Sequence, residues 1–151
     1  MRRSDREVTD PSFFKDVFAK SSILTVASNA GEYPYCVPLN FVELDGALYF
    51  HCAPEGFKLD CMARDPHVHF NTYDSAEVNS EKATIYFRSV SGTGLASKVD
   101  DEALKNEVLV ALLKKYCGTG EIPPFKKPEK TLVIKVEVTS LTGKQHAKPA
   151  A

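Results

Sequence analysis

Apolar positions at helical spacing define the first element of the chain. They recur three and four residues apart, and they are Phe13, Phe14, Val17 and Phe18. Thr9 or Asp10 can cap a helix here, and Pro11 suits its first turn. The pattern predicts a short amphipathic helix that ends near Lys20.

Runs rich in β-branched and aromatic residues follow, and they predict strands. The first two runs cover residues 23–27 and 33–44. Pro34 and Pro38 interrupt the second run and donate no ladder hydrogen bond. They therefore indicate an edge strand, a bulge or a stretch that faces a ligand.

A hairpin and a short helix are predicted next. Asp45-Gly46 lies between apolar flanks, which is a strong hairpin signal, and it returns the chain along residues 47–51. Residues 52–56 are typical of a turn. Residues 57–64 are predicted to form one or two helical turns.

The strand pattern then resumes in two further segments. It covers residues 68–73 and, after a polar stretch typical of a turn at 74–82, residues 83–97. Gly92 and Gly94 interrupt the second segment, so a bulge or a close backbone approach is expected there.

The clearest helix of the chain comes after these strands. Its apolar stripe comprises Leu104, Leu109, Val108, Leu112, Leu113 and Tyr116. Asp100 can cap this helix, and Gly118 follows it as a stop signal. A proline-rich loop over 119–130, a closing strand over 131–142 and a loose polar end over 143–151 complete the prediction.

These elements predict the fold class. Five or six strands are joined by hairpins, with no βαβ alternation and no internal repeat. Antiparallel strands with this many connections can remove their free edges by closing into a barrel. The sequence therefore predicts a mainly β protein, a small β-barrel with flanking helices.

Composition narrows the class of protein. The 151 residues suffice for one ordinary domain, and 43% of them are hydrophobic. Lys and Arg number 19 against 20 Asp and Glu, so the basic excess of a nucleic-acid binder is absent. No apolar run approaches the ~20 residues of a membrane span, and no apolar segment follows the charged start as in a secretory signal. We expect a cytoplasmic protein with no nucleic-acid or membrane partner.

The four cysteines contain no Cys-x-x-Cys pair. They are Cys36, Cys52, Cys61 and Cys117. Secreted disulfide scaffolds are smaller and denser in cysteine. We expect reduced thiols that pack as small hydrophobes.

Residues 51–58, His-Cys-Ala-Pro-Glu-Gly-Phe-Lys, combine the features of a phosphate site. A strand ends, a turn with Gly56 follows, and a helix begins with Lys58 in its first turn. Helix amino ends present free N–H groups and the positive end of the helix dipole. An ordinary surface corner with a solvated lysine has the same sequence features, so both interpretations stay open.

Two other chemistries for this stretch are disfavoured. His51 and Cys52 could form a base and a nucleophile, but consecutive strand residues point to opposite faces. The available metal ligands match no standard zinc spacing, and they are His51, Cys52, Cys61, His67 and His69. We expect no metal site.

Two further strands carry polar groups suited to a ligand. Asn40, after Pro38 and Leu39, offers a donor and an acceptor to a planar polar group. A kinked edge strand with a turn-capping Asn explains it equally well. Arg88 and Ser89 lie in an apolar strand and are hard to bury without an anionic partner, unless the arginine faces solvent.

Several landmarks occur in order along nearly the full chain. They are Asp5-Arg6-Glu7, Val37-Pro38-Leu39-Asn40-Phe41, Leu48-Tyr49-Phe50-His51 with Gly56 and Lys58, Arg88-Ser89-Val90 with Gly94, and Thr142-Gly143-Lys144. In this order the chain resembles the FMN-binding split-barrel superfamily related to pyridoxamine 5'-phosphate oxidase, and within it the Nim-type 5-nitroimidazole resistance proteins. The resemblance implies a six-stranded antiparallel split β-barrel over residues 1–144, followed by a tail over residues 145–151.

The resemblance also implies a homodimer with one FMN in each of two grooves between the subunits. The implied flavin contacts form four groups. Pro38, Leu39 and Asn40 would line the isoalloxazine; His51, Cys52 and Ala53 would pass near the flavin and its ribityl chain; Gly56, Lys58, Arg88 and Ser89 would hold the phosphate; and Lys144 would approach from the partner chain. His51 is the candidate residue on the substrate side. Lys58→Ala and Arg88→Ala are each expected to weaken FMN binding.

The activity implied by the resemblance is an FMN-dependent oxidoreductase that passes electrons to a small organic acceptor, such as a nitroaromatic compound. The alternative is a flavin- or haem-binding module of the same fold that senses or binds without turnover. Oxidation of pyridoxine phosphate is a third possible function, and the short length of the chain disfavours it. The segment Ser91-Gly92-Thr93 departs from the large apolar residues usual at this point, so weaker strand packing is expected there.

Overall fold

Eight strands and three helices occupy the residues that the structure describes. The computed structural model covers residues 3–121 and 130–149. The strands are β1 (Glu7–Val8), β2 (Leu24–Ser28), β3 (Tyr35–Leu39), β4 (Val42–Leu44), β5 (Ala47–Cys52), β6 (His67–Asn79), β7 (Thr84–Lys98) and β8 (Leu132–His146). The helices are α1 (Pro11–Lys20), α2 (Phe57–Arg64) and α3 (Glu102–Cys117), and a 3-10 turn at Ser4–Arg6 precedes β1.

The strands form one curled antiparallel sheet. Its order is β3-β2-β6-β7-β8-β5-β4, with β1 paired to β8. Strands β3 and β4 are consecutive in the chain yet lie at opposite ends of this order, so the sheet must curl until its ends approach. Six strands have five residues or more. The predicted six-stranded antiparallel split β-barrel with flanking helices is confirmed.

Residues 40 and 41 carry the chain across the gap between the two ends of the sheet. The Tyr116 hydroxyl of α3 accepts a hydrogen bond from the Phe41 amide at 3.0 Å. It also donates to the carbonyl oxygens of Ser22 at 2.8 Å and of Phe41 at 3.1 Å. One side chain thus holds the crossing and the start of β2 together.

Two apolar clusters lie on either side of β5. The inner cluster fills the barrel and includes Phe14, Val17, Phe18, Leu24, Phe41, Leu48, Phe50, Phe70, Val90 and Val136. The outer cluster packs α3 against β4 and β5, and it includes Val42, Ala47, Tyr49, Val108, Leu112 and Val133. Strand β5 is therefore apolar on both faces, which explains its nearly continuous apolar sequence.

The predicted helices are confirmed, with one cap corrected. The Asp10 carboxylate accepts from the Ser12 amide at 2.8 Å and caps α1. The cap of α3 is Asp101, which accepts from the Leu104 amide at 2.7 Å, and not Asp100. Gly118 ends α3 in the left-handed conformation, as predicted. No helix in the described part of the chain is long and apolar enough to cross a membrane.

Three predicted strand bounds are wrong. The run 33–44 is two strands, because the chain crosses the barrel gap between Leu39 and Val42. The polar stretch 74–82 is mostly strand, since β6 continues to Asn79 and pairs with β7. The end of β8 is not loose, because the strand continues to His146 against β7. Within the predicted loop over residues 119–130, residues 122–129 lie outside the described residues. The division into a single domain over residues 1–144 and a tail over residues 145–151 stays a prediction.

Gly92 gives close packing where weak packing was expected. A Cβ on Gly92 would overlap the Ser140 carbonyl oxygen, and it would lie 2.5 Å from the Phe70 ring. The missing side chain therefore lets β7, β8 and the Phe70 ring approach closely. The β7–β8 register shifts between Thr93 and Gly94, so the predicted bulge is confirmed.

Tyr116→Phe should lower the free energy of unfolding by about 1–2 kcal/mol, because it removes the hydroxyl that satisfies the Phe41 amide. Urea denaturation measures the difference. Tyr73→Phe is the matched control, since Tyr73 is 62% exposed, and it should change stability by less than about 0.5 kcal/mol. Equal losses in the two variants would contradict the role of Tyr116 at the crossing.

Candidate functional site

The amino end of α2 lies directly after β5. Gly56 is its N-cap, with φ of 152°, a conformation that favours glycine. No side chain caps the helix, and the first helical amide with a carbonyl partner is that of Leu59, 2.9 Å from the Gly56 oxygen. The amides before Leu59 are therefore available to an anion.

Lys58 adds a cation to this helix end. Its side chain is half-buried, and no salt bridge joins it to an acid among the described residues. The ammonium group of Lys58 lies close enough to the end of β5 to act on the Cys52 thiol. Burial raises the pKa of Cys52, and Lys58 opposes that rise.

His51 and Cys52 point in opposite directions, as predicted. His51 is exposed at the end of β5, whereas Cys52 is buried in the inner cluster. Ala53 is exposed in the turn that follows. Among the described residues, no group of three or more His, Cys, Asp or Glu side chains could hold a metal ion.

Edge strand β3 lies beside α2. The Tyr35 and Phe57 rings meet edge to face, with centroids 5.0 Å apart. Further along β3, Pro38 is exposed and Leu39 packs on the inner cluster. Strand β3 pairs only with β2 among the described strands, so it leaves one edge open beside the helix.

Asn40 and His51 lie at the same end of the β4–β5 pair. Val42 of β4 is opposite Tyr49 of β5. The exposed Asn40 precedes Val42 by two residues, and His51 follows Tyr49 by two residues. Eight predicted residues thus lie on adjoining elements, and we call them the helix-end group: Pro38, Leu39, Asn40, His51, Cys52, Ala53, Gly56 and Lys58.

The other three predicted residues form a separate group on β7 and β8. Ser89 is the pairing partner of Lys144, and Arg88 is the pairing partner of Gln145. The Lys144 ammonium lies 5.6 Å from the centroid of the Phe87 ring. Arg88, Ser89 and Lys144 are called the strand group below.

Arg88 is held by two carboxylates of its own chain. Its guanidinium donates to the Asp74 carboxylate through Nε and Nη2, and Nη2 also lies 2.8 Å from Oδ2 of Asp16. These carboxylates raise the pKa of Arg88 above its usual value. The Asp74 side chain is only 3% exposed. The expected anionic partner of Arg88 is therefore present inside the chain.

The two groups lie far apart within one subunit. The amino end of α2 lies beside the carboxyl end of β7, where Pro54 and Leu59 line one cleft with Ala96 and Lys98. Arg88 precedes Ala96 by eight residues, a separation of roughly 25 Å along the strand. Lys58 and Arg88 therefore do not meet at one phosphate within a single subunit.

The sequence profile of one family spans both groups. The profile of the pyridoxamine 5'-phosphate oxidase family matches residues 14–145. The chain belongs to the pyridoxamine 5'-phosphate oxidase family. No curated protein matches the sequence.

Solved structures show the same fold as this pyridoxamine 5'-phosphate oxidase family member. A candidate 5-nitroimidazole antibiotic resistance protein from Bacteroides thetaiotaomicron is 23% identical, with a TM-score of 0.77 over 91% of this chain and 85% of its own. The flavocytochrome Anf3 from Azotobacter vinelandii is 18% identical, with a TM-score of 0.80 over 99% of this chain and 73% of its own. The FAD and heme binding protein from Mycobacterium smegmatis is 17% identical, with a TM-score of 0.79 over 97% and 76%.

Aromatic side chains that were not among the predicted site residues lie beside the helix-end group. Tyr33 is 73% exposed and Phe57 is 49% exposed. Together with Tyr35 they give this family member an open apolar surface, a feature typical of binding sites. The sequence feature that could have identified these aromatic residues is their position next to Pro34 and Gly56, because proline and glycine often interrupt regular structure.

Arg88→Ala should lower the free energy of unfolding by about 2–3 kcal/mol, because it leaves the Asp74 carboxylate buried without its partner. Urea denaturation measures the change. The double variant Asp74→Asn/Arg88→Ala removes both charges and should recover part of the loss. If Arg88→Ala alone were as stable as the parent protein, the ion pair between Arg88 and Asp74 would contribute nothing to the free energy of unfolding.

Proposed function

We propose that this protein is a homodimeric flavoprotein that binds one FMN at each subunit junction and passes electrons to a small organic acceptor. The observation that carries the proposal is the uncapped amino end of α2, with Lys58 beside it, next to the open edge of β3. The flavin, when bound, supplies the redox chemistry.

The helix end fits a phosphate. Free amides and an ammonium group together match the charge and the acceptor oxygens of a phosphate group. Apart from the glycine and its two chain neighbours, no atom in the described part of the chain lies within 4 Å of the position that a Cβ on Gly56 would take, so the approach to these amides is open. In this proposal, Gly56 and Lys58 hold the flavin phosphate.

The edge of β3 fits the planar ring of a flavin. Pro38 and Asn40 are exposed there. The Asn40 amide offers a donor and an acceptor, which suits a ring edge that carries both N–H and C=O groups. His51 lies at the same end of the β4–β5 pair as Asn40, and its imidazole can exchange a proton with a substrate bound next to the ring.

A second copy of the chain would complete the site. The strand group lies too far from Lys58 to join it within one subunit, so in this proposal Lys144, with Arg88 and Ser89, reaches the flavin from the partner. The exposed aromatics Tyr33 and Phe57 are then covered by the partner subunit.

The related structures support a flavin as the ligand class. One is a flavocytochrome and another is an FAD and heme binding protein, and both share the fold over nearly the whole of this chain. A single phosphate site at the end of α2 favours FMN, which has one phosphate, over FAD, which has two.

The absorbance spectrum of the purified protein, with and without added FMN, tests the proposal. We expect flavin bands and release of FMN on denaturation, identified by mass spectrometry. Light scattering should give the mass of a dimer. A colourless protein that takes up no added FMN, or a flavin-loaded monomer, would contradict the proposal.

Lys58→Ala should weaken FMN binding by about 1–3 kcal/mol, or roughly 5- to 150-fold in Kd, because it removes a charge-assisted contact to the phosphate. Fluorescence titration of the apoprotein with FMN measures the affinity. Lys82→Ala is the matched control, because Lys82 is exposed in the β6–β7 turn. The affinity of this variant for FMN should equal that of the parent protein.

Arg88→Ala and Lys144→Ala, titrated alongside Lys58→Ala, measure the contribution of the strand group. Both are expected to weaken FMN binding if these residues reach the partner's flavin. Unchanged affinity in all three variants would show that the phosphate lies elsewhere.

The second candidate function is a flavin- or haem-binding module without turnover. The fold similarity to a protein that binds both FAD and heme favours this alternative. Steady-state oxidation of NADH or NADPH, with a nitroaromatic compound as acceptor, separates the two. Sustained turnover supports the oxidoreductase, and bound flavin without turnover supports the module.

A further inference from the structure

Two histidines of β6 line a cleft on the outer side of the sheet, across β2, β6, β7 and β8. Its volume is about 680 Å³, and it is lined by Ala27, Ser28, Asn29, Pro34, His67, Val68, His69, Thr93, Gly94, Leu95 and Thr139. None of the described residues that line it is a lysine or an arginine, so no cationic side chain of its wall repels a metal ion. The cleft shares no residue with the helix-end group or the strand group.

Strand alternation places both imidazoles on the same side of β6. Val68, which lies between them, is buried in the inner cluster, whereas His67 and His69 are exposed. His69 pairs with Ala27 on β2 and with Thr93 on β7, and these side chains are small enough to leave its ring accessible. The two Cα atoms of such a pair lie roughly 6.6 Å apart, a distance that two imidazoles can bridge through one ion with bonds of about 2 Å.

The ring of His67 is oriented by a carboxylate. Its Nδ1 lies 2.7 Å from Oδ1 of Asp65, and its backbone amide donates to the same oxygen at 3.0 Å. The side-chain amide of Asn29 donates to Oδ2 of Asp65 at 2.6 Å. The hydrogen bonds from Asn29 and His67 lower the pKa of Asp65 to about 2, so this side chain is a carboxylate at neutral pH.

This carboxylate selects one tautomer of the neutral His67 ring. An ionised carboxylate only accepts hydrogen bonds, so the Nδ1 that faces Asp65 carries the proton. The lone pair is then on Nε2, and 76% of the His67 side chain is exposed. A carboxylate behind an imidazole is typical of metal-ligating histidines, because it fixes the orientation of the ring and makes its other nitrogen more basic.

The donor set selects a class of metal ion. Imidazole nitrogens suit Zn(II), Ni(II) and Cu(II), whereas Mg(II) and Ca(II) prefer oxygen ligands. No group of three or more ligating side chains occurs in residues 3–121 and 130–149, so water has to complete the coordination of an ion bound by this pair. The zinc spacings that the sequence fails to match belong to sites with three or four protein ligands.

We propose that His67 and His69 bind one divalent ion of the nickel, copper and zinc class through two imidazole nitrogens, with water in the remaining coordination positions. Asp65 is a positioning residue that acts through His67. The proposal does not depend on the flavin, because the candidate flavin contacts lie outside this cleft.

Isothermal titration of the untagged full-length protein with Ni(II) tests the proposal. The affinity should fall at least about tenfold in His67→Ala and in His69→Ala, because each variant removes one of two protein ligands. Excess Mg(II) should not displace the bound Ni(II). Unchanged affinity in either variant, or displacement by Mg(II), would overturn the proposal.

His146→Ala is the matched control. Nδ1 of His146 lies 2.8 Å from the Ile85 carbonyl oxygen, and its ring lies outside the cleft. This variant should bind Ni(II) as the parent protein does, and an equal loss of affinity would show that the histidines of the cleft have no special role.

Proton NMR of the parent protein locates the ion without any substitution. Ni(II) is paramagnetic, and it should broaden the imidazole signals of His67 and His69 at lower concentrations than those of the other histidines. Broadening that begins at another histidine would overturn the proposal, even if one of the alanine variants folds poorly.

A double-variant cycle tests the role of Asp65. Asp65→Asn should weaken Ni(II) binding about tenfold, because the His67 nitrogen becomes less basic and less well oriented. The same substitution in His67→Ala should cause no further loss, since Asp65 acts only through that ring. A loss of equal size in both backgrounds would overturn the positioning role of Asp65.

Discussion

The closing of the curled sheet at residues 40 and 41 is the constraint on which the rest of the structure depends. A single hydroxyl, that of Tyr116, satisfies the Phe41 amide and binds the Ser22 carbonyl oxygen, so α3 fixes the start of β2 and the crossing together. Lys115, the next residue of α3, packs its ammonium on the Phe41 ring. This crossing places Asn40 before β4, at the end of the β4–β5 pair where His51 lies. The candidate flavin contacts at the two ends of the sheet are therefore positioned by α3, which contributes none of the eleven predicted site residues.

The cations of the molecule have different roles because their surroundings differ. Arg88 lies between two carboxylates and serves the attachment of α1 to the barrel, where Asp16 is one of its partners. Lys58 has no acidic partner within residues 3–121 and 130–149, and it lies at a helix end whose amides are open. Charge alone, which is what a sequence displays, does not separate these cases. The neighbouring acids show how far each cation is already neutralised within its own chain.

Much of the fold could be predicted from periodicity, because the barrel buries one face of most strands. The predicted strand bounds were wrong where a strand buries little on either face. Residues 74–79 extend beyond the barrel and bury little on either face, so their strand resembles a turn in sequence. Residues 143–146 pair with β7 without an apolar pattern. The helix-end group was predictable because its residues are close in sequence to a strand end and a helix start. The pairing of Arg88 with Asp74 was not, because Asp74 lay in a segment interpreted as a turn.

Gly92 has a consequence for how this protein can change over evolution. A side chain at this position would meet two neighbours of different kinds, the ring of Phe70 and the main-chain oxygen of Ser140. A smaller residue at position 70 could relieve the first overlap, but no exchange of side chains removes a carbonyl group from the backbone. A side chain at position 92 therefore requires the backbone at Ser140 to move, and a smaller residue at position 70 does not by itself restore the close approach of β7 and β8.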